Sequence, residues 1–356
     1  MSEYHIAVIG GDGIGPEVTR EAMKVVDAAA DIFGFTVKRT LYPFGTDHYL
    51  AKGEIFPDQA FNELRGMNAI FLGAIGDPRV PVGLIEHGII ARMRFDLDLF
   101  ANVRPVKLYD ERLCPIKGKT PADIDMVFVR ENTEDAYAGM HGFAHKGQPL
   151  EVATQTMVYT REATERAVRF AFDLAVQRNG RKQVTLIDKA NAVRAHDLWT
   201  RTFAEVAAEY PDVKTDHAYV DAACMWLIKN PEWFDVAVCP NLIGDIVTDL
   251  GAMLQGGMGI AASANINPGR VSLFEPIHGS APKHAGKNVA SPVAAIMAGS
   301  MMLDYLGQRK AGQAIEHVII DLFKSGRLRG VGSGEHPTTE VGDLIAAEVR
   351  GVAANV

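Results

Sequence analysis

Asp245 and Asp249 stand four residues apart in Asn241-Leu242-Ile243-Gly244-Asp245-Ile246-Val247-Thr248-Asp249-Leu250. On a helix that spacing puts both carboxylates on one face. The apolar run at 234–240 just before them reads as a short strand. Two acids opening a helix beyond a strand suit a hard divalent cation with oxygen ligands, Mg²⁺ or Mn²⁺. A capping aspartate followed by a solvated one accounts for the spacing equally well.

Three arginines fall beside the expected ends of elements. Arg94 shares a helical face with Ile90, Arg104 is expected at the start of a strand, and Arg130 opens Arg130-Glu131-Asn132-Thr133-Glu134-Asp135-Ala136-Tyr137. Singly, each reads as a surface or interface charge. Together they suit clamps for a substrate with two or more carboxylates, because a guanidinium fork grips a carboxylate through two bonds. Lys189 follows the expected strand 184–188 and opens Lys189-Ala190-Asn191. It reads either as an anion anchor or, beside a metal-bound hydroxyl, as an acid–base residue with a lowered pKa. A strand-like segment at 216–221 is expected to deliver Asp221, and the helix after it to bury Met225 and Trp226 in the core.

Strands are expected at 5–9, 35–41 and 69–74, with helices at 18–30 and 57–64 between them. Strands alternating with helices predict an α/β fold with an open sheet, whose ligands bind beyond the carboxyl ends of the strands. The turn Gly10-Gly11-Asp12-Gly13-Ile14-Gly15-Pro16-Glu17 either aims backbone N–H groups at an anion or is simply a tight turn. It departs from the dinucleotide fingerprint in having Pro16 and no acid on an obvious second strand end. The loop at 274–288 has small residues for close approach, with imidazole and ammonium groups suited to phosphate. Gly256-Gly257 marks a hinge or a close approach of backbone.

The 356 residues suffice for a large core and two domains. A net charge of -8 argues against a nucleic-acid partner. No apolar run reaches the roughly 20 residues that span a bilayer, so no membrane partner is expected. The start, Met1-Ser2-Glu3-Tyr4-His5, lacks the positive segment of a secretory leader. Three cysteines without a CxxC pair fit reduced thiols and a cytoplasmic setting.

Taken in order, these segments resemble the β-decarboxylating dehydrogenases, the family of 3-isopropylmalate, isocitrate, homoisocitrate and tartrate/D-malate dehydrogenases. The likeness runs from the turn at 11–17 through the three arginines, Lys189-Ala190-Asn191 and the Asp245/Asp249 motif to Glu275-Pro276-Ile277-His278-Gly279-Ser280-Ala281-Pro282. It implies a non-Rossmann α/β fold, with a discontinuous large domain (1–98 plus 256–356) and an inserted smaller domain (99–255). It further implies a homodimer with shared active sites, in which the smaller domain makes the dimer contact.

By the same resemblance, Arg94, Arg104 and Arg130 bind the carboxylates of a small di- or tricarboxylate hydroxy acid, with Glu86 and Ile90 completing its site. Asp245 and Asp249, with Asp221 of the partner subunit, hold Mg²⁺ or Mn²⁺. Tyr137 and the partner subunit's Lys189 transfer protons, assisted by Asp221. Ile14, Asn191, Glu275, His278, Gly279, Ser280, Ala281, Lys283, His284, Val289 and Ser291 bind the nicotinamide cofactor. The expected reaction is oxidative decarboxylation.

The run Glu86-His87-Gly88-Ile89-Ile90-Ala91-Arg92-Met93-Arg94 is similar to that of some 3-isopropylmalate dehydrogenases. An apolar Ile89, Ile90 and Ala91 surface would receive an isopropyl group, so 3-isopropylmalate, giving 4-methyl-2-oxopentanoate and CO₂, ranks first. Bacterial NADP-type isocitrate enzymes carry serine and asparagine on this face, where Gly88 and Ile90 stand here. Arg130-Glu131-Asn132-Thr133-Glu134 and the loop at 75–81 lean the other way, toward isocitrate, homoisocitrate and tartrate/D-malate enzymes. A non-catalytic regulatory subunit ranks last, because every expected acid, arginine, tyrosine and lysine is present. Lys283-His284 replaces the Asp-Ile of NAD-dependent members and predicts NADP over NAD, with Arg327 and Arg329 as possible aids. Ser291 replaces the usual Asn near the adenine.

Overall fold

The computed structural model describes residues 2–352. β1 (Glu3–Gly11) turns into α1 (Gly15–Phe33), followed by β2 (Thr36–Tyr42), α2 (Thr46–Lys52), α3 (Asp58–Leu64) and β3 (Ala69–Ala74). α4 (Leu84–Glu86), a π turn (His87–Ala91) and α5 (Arg92–Asp96) form one helical stretch. Next come β4 (Ala101–Lys107), β5 (Asp125–Glu131), β6 (His141–Ala144), β7 (Val152–Gln155), α6 (Arg161–Arg178) and β8 (Gln183–Asp188). α7 (Asp197–Ala207), β9 (Lys214–Tyr219), α8 (Val220–Lys229), β10 (Val236–Cys239) and α9 (Asn241–Leu254) follow. β11 (Ala262–Ile266), β12 (Ser272–Pro276), α10 (Val293–Tyr305), α11 (Arg309–Lys324) and α12 (Thr338–Val352) close the described chain.

Two compact units result. Unit 1 gathers Met1–Leu99, Pro105–Ile124 and Ala252–Val356; unit 2 gathers Phe100–Arg104 and Asp125–Gly251. Residues 105–124, which the resemblance places in the inserted domain, cluster with unit 1 through bonds to its C-terminal stretch. The Leu108 N–H bonds the Ile124 carbonyl at 3.0 Å, the Lys107 N–H bonds Gln255 at 2.8 Å, and Arg112 bonds the Phe323 carbonyl.

In unit 1 the strands run in the order β2-β1-β3-β12-β11. β1 pairs in parallel with β2 and β3, β3 in parallel with β12, and only β11 against β12 is antiparallel. β3 is buried at every position, as a central strand covered on both faces must be. α1 starts with Pro16, where a missing N–H costs nothing, and ends at left-handed Gly34. It buries Val18, Ala22, Val25 and Ala29 at helical spacing and packs on α10 and α12. α10 is buried almost all round, which its Ala- and Met-rich sequence permits.

In unit 2 the order is β4-β5-β10-β8-β9, with β5, β10, β8 and β9 parallel. Phe128, Phe172 and Trp199 anchor its core. Burying each such ring stabilises the fold by about 1.5–3 kcal/mol. Thr160 caps α6, accepting the Ala163 N–H at 3.2 Å. β6 and β7 form a separate antiparallel ribbon.

Three local expectations are corrected. Arg104 lies in the middle of β4 rather than at a strand start. Met225 is 62% exposed and Trp226 only partly buried, so neither is core, because α8 buries only Ala223 and Leu227. Ile89 is fully buried in the cluster with Ile85, Met93 and Leu72, so it lines no pocket; Ile90 and Ala91 stay partly exposed. Among the described residues no helix is long and apolar enough to cross a membrane.

Candidate active site

In unit 2, strand register assembles a cluster of charges around the start of α9. β10 pairs with β5 so that Cys239 lies beside Arg130, and Pro240 then leads into α9. Arg130, 1% exposed, donates through Nε to Asn241 Oδ1 at 2.8 Å and pairs through Nη1 with Asp245. Gly244 makes this possible, because a Cβ there would stand 2.7 Å from the Arg130 Cγ. Arg104 donates to Asn102 at 2.7 Å and to Thr248 Oγ1 at 2.6 Å. It also faces both acids, 3.6 Å from Asp245 and 3.7 Å from Asp249. Tyr137 donates to Asp245 Oδ2 at 2.8 Å, and the Arg130 guanidinium lies 5.2 Å from its ring centre.

The structure therefore brings Arg104, Arg130, Tyr137, Asp245 and Asp249 together. Burial pushes the Asp249 carboxyl up, and the nearby Asp245 charge adds to this, while Arg104 and Arg130 pull it down. Among the described residues no three His, Cys, Asp or Glu side chains are gathered as a metal shell. The paired carboxylates of Asp245 and Asp249, half-exposed on one helix face, are nonetheless the oxygen donors a hard cation takes. They fit one side of a Mg²⁺ or Mn²⁺ shell.

Lys189 and Asp221 form a second pair, with Nζ donating to Oδ1 at 2.7 Å. The hydrogen bond from Lys189 holds the exposed Asp221 carboxyl below its usual range. Asp221 sits in the first turn of α8 instead of ending a strand as expected. The turn at Lys189 is held by the Asp188 carboxylate, which accepts the Ala190 N–H at 3.0 Å, and by His196. Asn191, two residues on, is exposed.

Glu131 and Glu134 bond to backbone amides of the loop after β5 and of the start of α6. Glu131 accepts Thr133 N–H at 2.7 Å and Glu134 N–H at 3.0 Å; Glu134 accepts Thr160 N–H at 2.7 Å. Both carboxylates knot the loop that carries Tyr137.

In unit 1, Arg94 on α5 donates to Asn265 and to buried Glu275, each at 3.0 Å. Ile90 lies one turn earlier, on the π turn, a feature frequent at functional sites. Gly88 packs on Ile55, where a Cβ would stand 2.6 Å from its Cγ2. Glu86 lies beside Gly76, where a Cβ would stand 2.7 Å from the carboxylate.

The glycine turn after β1 is locked to the loop after β12. Ile14 N–H donates to the Ser280 carbonyl at 2.8 Å, and a Cβ on Gly13 would stand 1.9 Å from that oxygen. Asp12 N–H is bonded to Ala74 O and Gly15 N–H to Asp12 O. These three amides are committed within the protein, which favours a tight connection over an anion cradle. Asp12 accepts from Thr46 N–H at 2.6 Å and Gly76 N–H at 2.9 Å, and Ser280 bonds the Gly76 carbonyl.

Beyond Ser280 the backbone enters the left-handed region at Ala281 and forms a short 3₁₀ turn, Pro282–His284. His278 bonds the Gly279 carbonyl at 3.1 Å, but its Nε2 is buried without a partner, and burial pushes its pKa down. Lys283 is exposed and has no ion pair among the described residues. An orphaned imidazole nitrogen and an unpaired ammonium fit a phosphate-bearing cofactor. His284 is half-buried beside Lys283, and the Val289 carbonyl accepts the Gly334 N–H at 2.9 Å. Ser291 accepts the Val293 N–H at 3.4 Å at the start of α10. Arg327 is tied to Glu348 at 2.8 Å and Arg329 to the Glu335 carbonyl at 3.1 Å.

Sequence reasoning missed Asn102, Asn241, Gly244 and Thr248, which hold or make room for the two arginines. Asn241, Gly244 and Thr248 lie inside the motif already singled out, and their polar or minimal side chains in an apolar helix were the available signal.

Residues 5–345 match the isocitrate/isopropylmalate dehydrogenase family. The chain is 47% identical over 347 residues to the 3-isopropylmalate dehydrogenase of Thermobifida fusca, covering 97% of each. It is 46% identical over 346 residues to that of Mycobacterium avium, covering 96% of this chain and 99% of the relative. Its fold matches the crystal structure of isocitrate dehydrogenase from Methylococcus capsulatus with a TM-score of 0.88 and 35% identity, covering 98% of this chain and 99% of that one. A β-decarboxylating dehydrogenase from Thermococcus kodakarensis matches with a TM-score of 0.79 and 32% identity, covering 99% and 98%. With its motifs in this order and likeness along nearly its whole length, the chain belongs to the isocitrate/isopropylmalate dehydrogenase family, enzymes that oxidise and decarboxylate with a nicotinamide cofactor.

Proposed function

We propose that the protein oxidises and decarboxylates 3-isopropylmalate. The gathering of Arg104, Arg130 and Tyr137 on the Asp245 carboxylate carries the reaction class. The substrate follows from the relatives, which are 3-isopropylmalate dehydrogenases at 45–47% identity over nearly full length, and from the partly exposed apolar Ile90 and Ala91 near Arg94.

Arg104 and Arg130, rigidly held by Asn102, Thr248 and Asn241, bind substrate carboxylates in fixed orientation. Arg94 binds a further carboxylate oxygen. Lys189, hydrogen-bonded to Asp221, removes the hydroxyl proton. Tyr137 gives its phenolic proton to C3 after CO₂ has left. Asp245 and Asp249, with Asp221 of the partner subunit, would hold a divalent cation, which would supply Lewis-acid polarisation of the substrate. The loop from Glu275 to Ser291 would hold the nicotinamide cofactor, which would supply the hydride acceptor.

The exposed Lys283 supports a preference for NADP, since its ammonium suits a 2′-phosphate. A homodimer is supported by the exposed apolar side chains Met225, Ile228, Ile246 and Met253 on α8 and α9. Free thiols at Cys114, Cys224 and Cys239 suit a reducing, cytoplasmic setting. Steady-state oxidation of 3-isopropylmalate, isocitrate, homoisocitrate, D-malate and tartrate, each with NAD and NADP and with Mg²⁺ or Mn²⁺, tests the reading. A higher kcat/KM for isocitrate or D-malate than for 3-isopropylmalate overturns the substrate assignment.

A further inference from the structure

A buried hydrogen-bond relay in unit 2 joins the turns that carry Lys189 and Tyr137. The Lys189 backbone N–H donates to His196 Nδ1 at 2.9 Å, and His196 Nε2 lies 2.9 Å from the Tyr159 hydroxyl. Tyr159 donates to Asp135 Oδ1 at 2.7 Å. The same oxygen accepts the Ala136 N–H at 2.8 Å, one residue before Tyr137. Asp135 Oδ2 accepts the Leu242 N–H at 2.9 Å, in the first turn of the helix that carries Asp245 and Asp249.

The direction of every link follows from its ends. A backbone N–H only donates, so His196 Nδ1 accepts and the neutral ring carries its proton on Nε2. That proton goes to the Tyr159 oxygen, and the Tyr159 proton goes to Asp135. His196 and Asp135 are both 0% exposed, and burial holds the His196 pKa down, keeping the ring neutral. Asp135 also has a φ of +70°, a conformation few residues other than glycine adopt. Such strain persists only where surrounding bonds over-determine it, and here both carboxylate oxygens and the backbone pair with Val158 do so.

We infer that His196, Tyr159 and Asp135 are positioning residues that hold the subunit's two acid–base side chains, Lys189 and Tyr137, in register with the start of α9. The inference rests on the proposed proton-transfer roles of those two residues. If each active site takes its lysine from the partner subunit, one relay serves both sites of a dimer. Loss of a link then lowers the rate of the chemical step while leaving binding of the carboxylates to the arginines.

The test uses full-length enzyme with Tyr159→Phe, His196→Asn and the double variant, assayed below the melting point of each. Asn at 196 keeps an acceptor for the Lys189 N–H and loses the link to Tyr159. Tyr159→Phe is expected to lower kcat at least about fivefold with KM for substrate and cofactor within about twofold. The double variant is expected to be no slower than the worse single one, because both break one connection. A smaller loss in kcat, a loss confined to KM, or additive losses overturns the inference. Nitrogen-15 NMR of the histidine-labelled parent gives a second readout that needs no turnover. An Nε2–H tautomer at His196 supports the relay, and an Nδ1–H tautomer overturns it even where a variant fails to fold. A parent that turns over none of the hydroxy acids sinks the proposed function, while the tautomer still decides the relay.

Discussion

Tyr137 donates its phenolic proton to one oxygen of Asp245 at 2.8 Å while Arg130 holds the other oxygen. The proposed proton donor and the proposed carboxylate clamp thus meet at the carboxylate of a proposed metal ligand. Replacing Tyr137 with Phe removes the donor and keeps the ring under Arg130. The expected result is a fall in kcat of about 10²–10⁴ with little change in KM. Steady-state kinetics checks this, and a loss smaller than about tenfold removes Tyr137 from the chemistry.

Asp249 has its carboxyl pushed up from 3.8, chiefly by burial. A carboxyl raised in the fold contributes stability that is complete below the unfolded value and is lost as pH rises through the folded one. Near neutral pH its charge therefore works against the metal-free fold. Asp249→Asn is expected to melt no lower than the parent in EDTA, yet to lose the upward shift in Tm that Mn²⁺ gives the parent. Thermal melts with and without Mn²⁺ decide it; an Mn²⁺ shift equal to the parent's excludes Asp249 as a ligand.

His196 has its pKa held below 6.5 by burial. The unfolded chain takes up that proton first as pH falls, so stability present above 6.5 declines toward the folded value. His196→Gln removes this component. Its Tm is expected to fall less than the parent's between about pH 7.5 and about pH 5.5, whatever its absolute level. Melting curves across that range give the slope, and a parallel decline in both proteins refutes the assignment.

Gly244 leaves room for Arg130, since a Cβ there would stand 2.7 Å from its Cγ. Gly244→Ala is expected to cost about 1–3 kcal/mol by overpacking and to raise KM for the hydroxy acid by displacing the guanidinium. Denaturant unfolding together with KM checks both effects; an unchanged KM means that Arg130 does not bind substrate.

Lys283 is exposed, so Lys283→Asp is expected to leave folding intact. It would replace the proposed phosphate partner with an acceptor for ribose hydroxyls, and the ratio of kcat/KM for NAD over NADP should rise at least about tenfold. An unchanged ratio assigns cofactor choice elsewhere in the loop.

Much of this protein is written locally in its chain. The apolar runs of β3 and β10, the helical spacing of α1, and the separation of Asp245 from Asp249 each depend on residues within a few positions of one another. Side-chain chemistry is equally local: a guanidinium is able to clamp a carboxylate and paired aspartates are able to ligate a hard cation, and their surroundings decide whether they do. What a local reading misses is who meets whom. Thr248 meets Arg104 across 144 positions, and Asn241 meets Arg130 across 111, because strand pairing sets those distances. Glu131 and Glu134 stand in the sequence only as part of a branch-marking motif, and the amides their carboxylates accept, one of them 26 positions away, emerge from the fold. Met225 and Ile89 are both apolar on helices, yet one is exposed and the other fully buried. Burial and partnership depend on which elements pack together, and a residue's own neighbours in sequence carry no record of that packing.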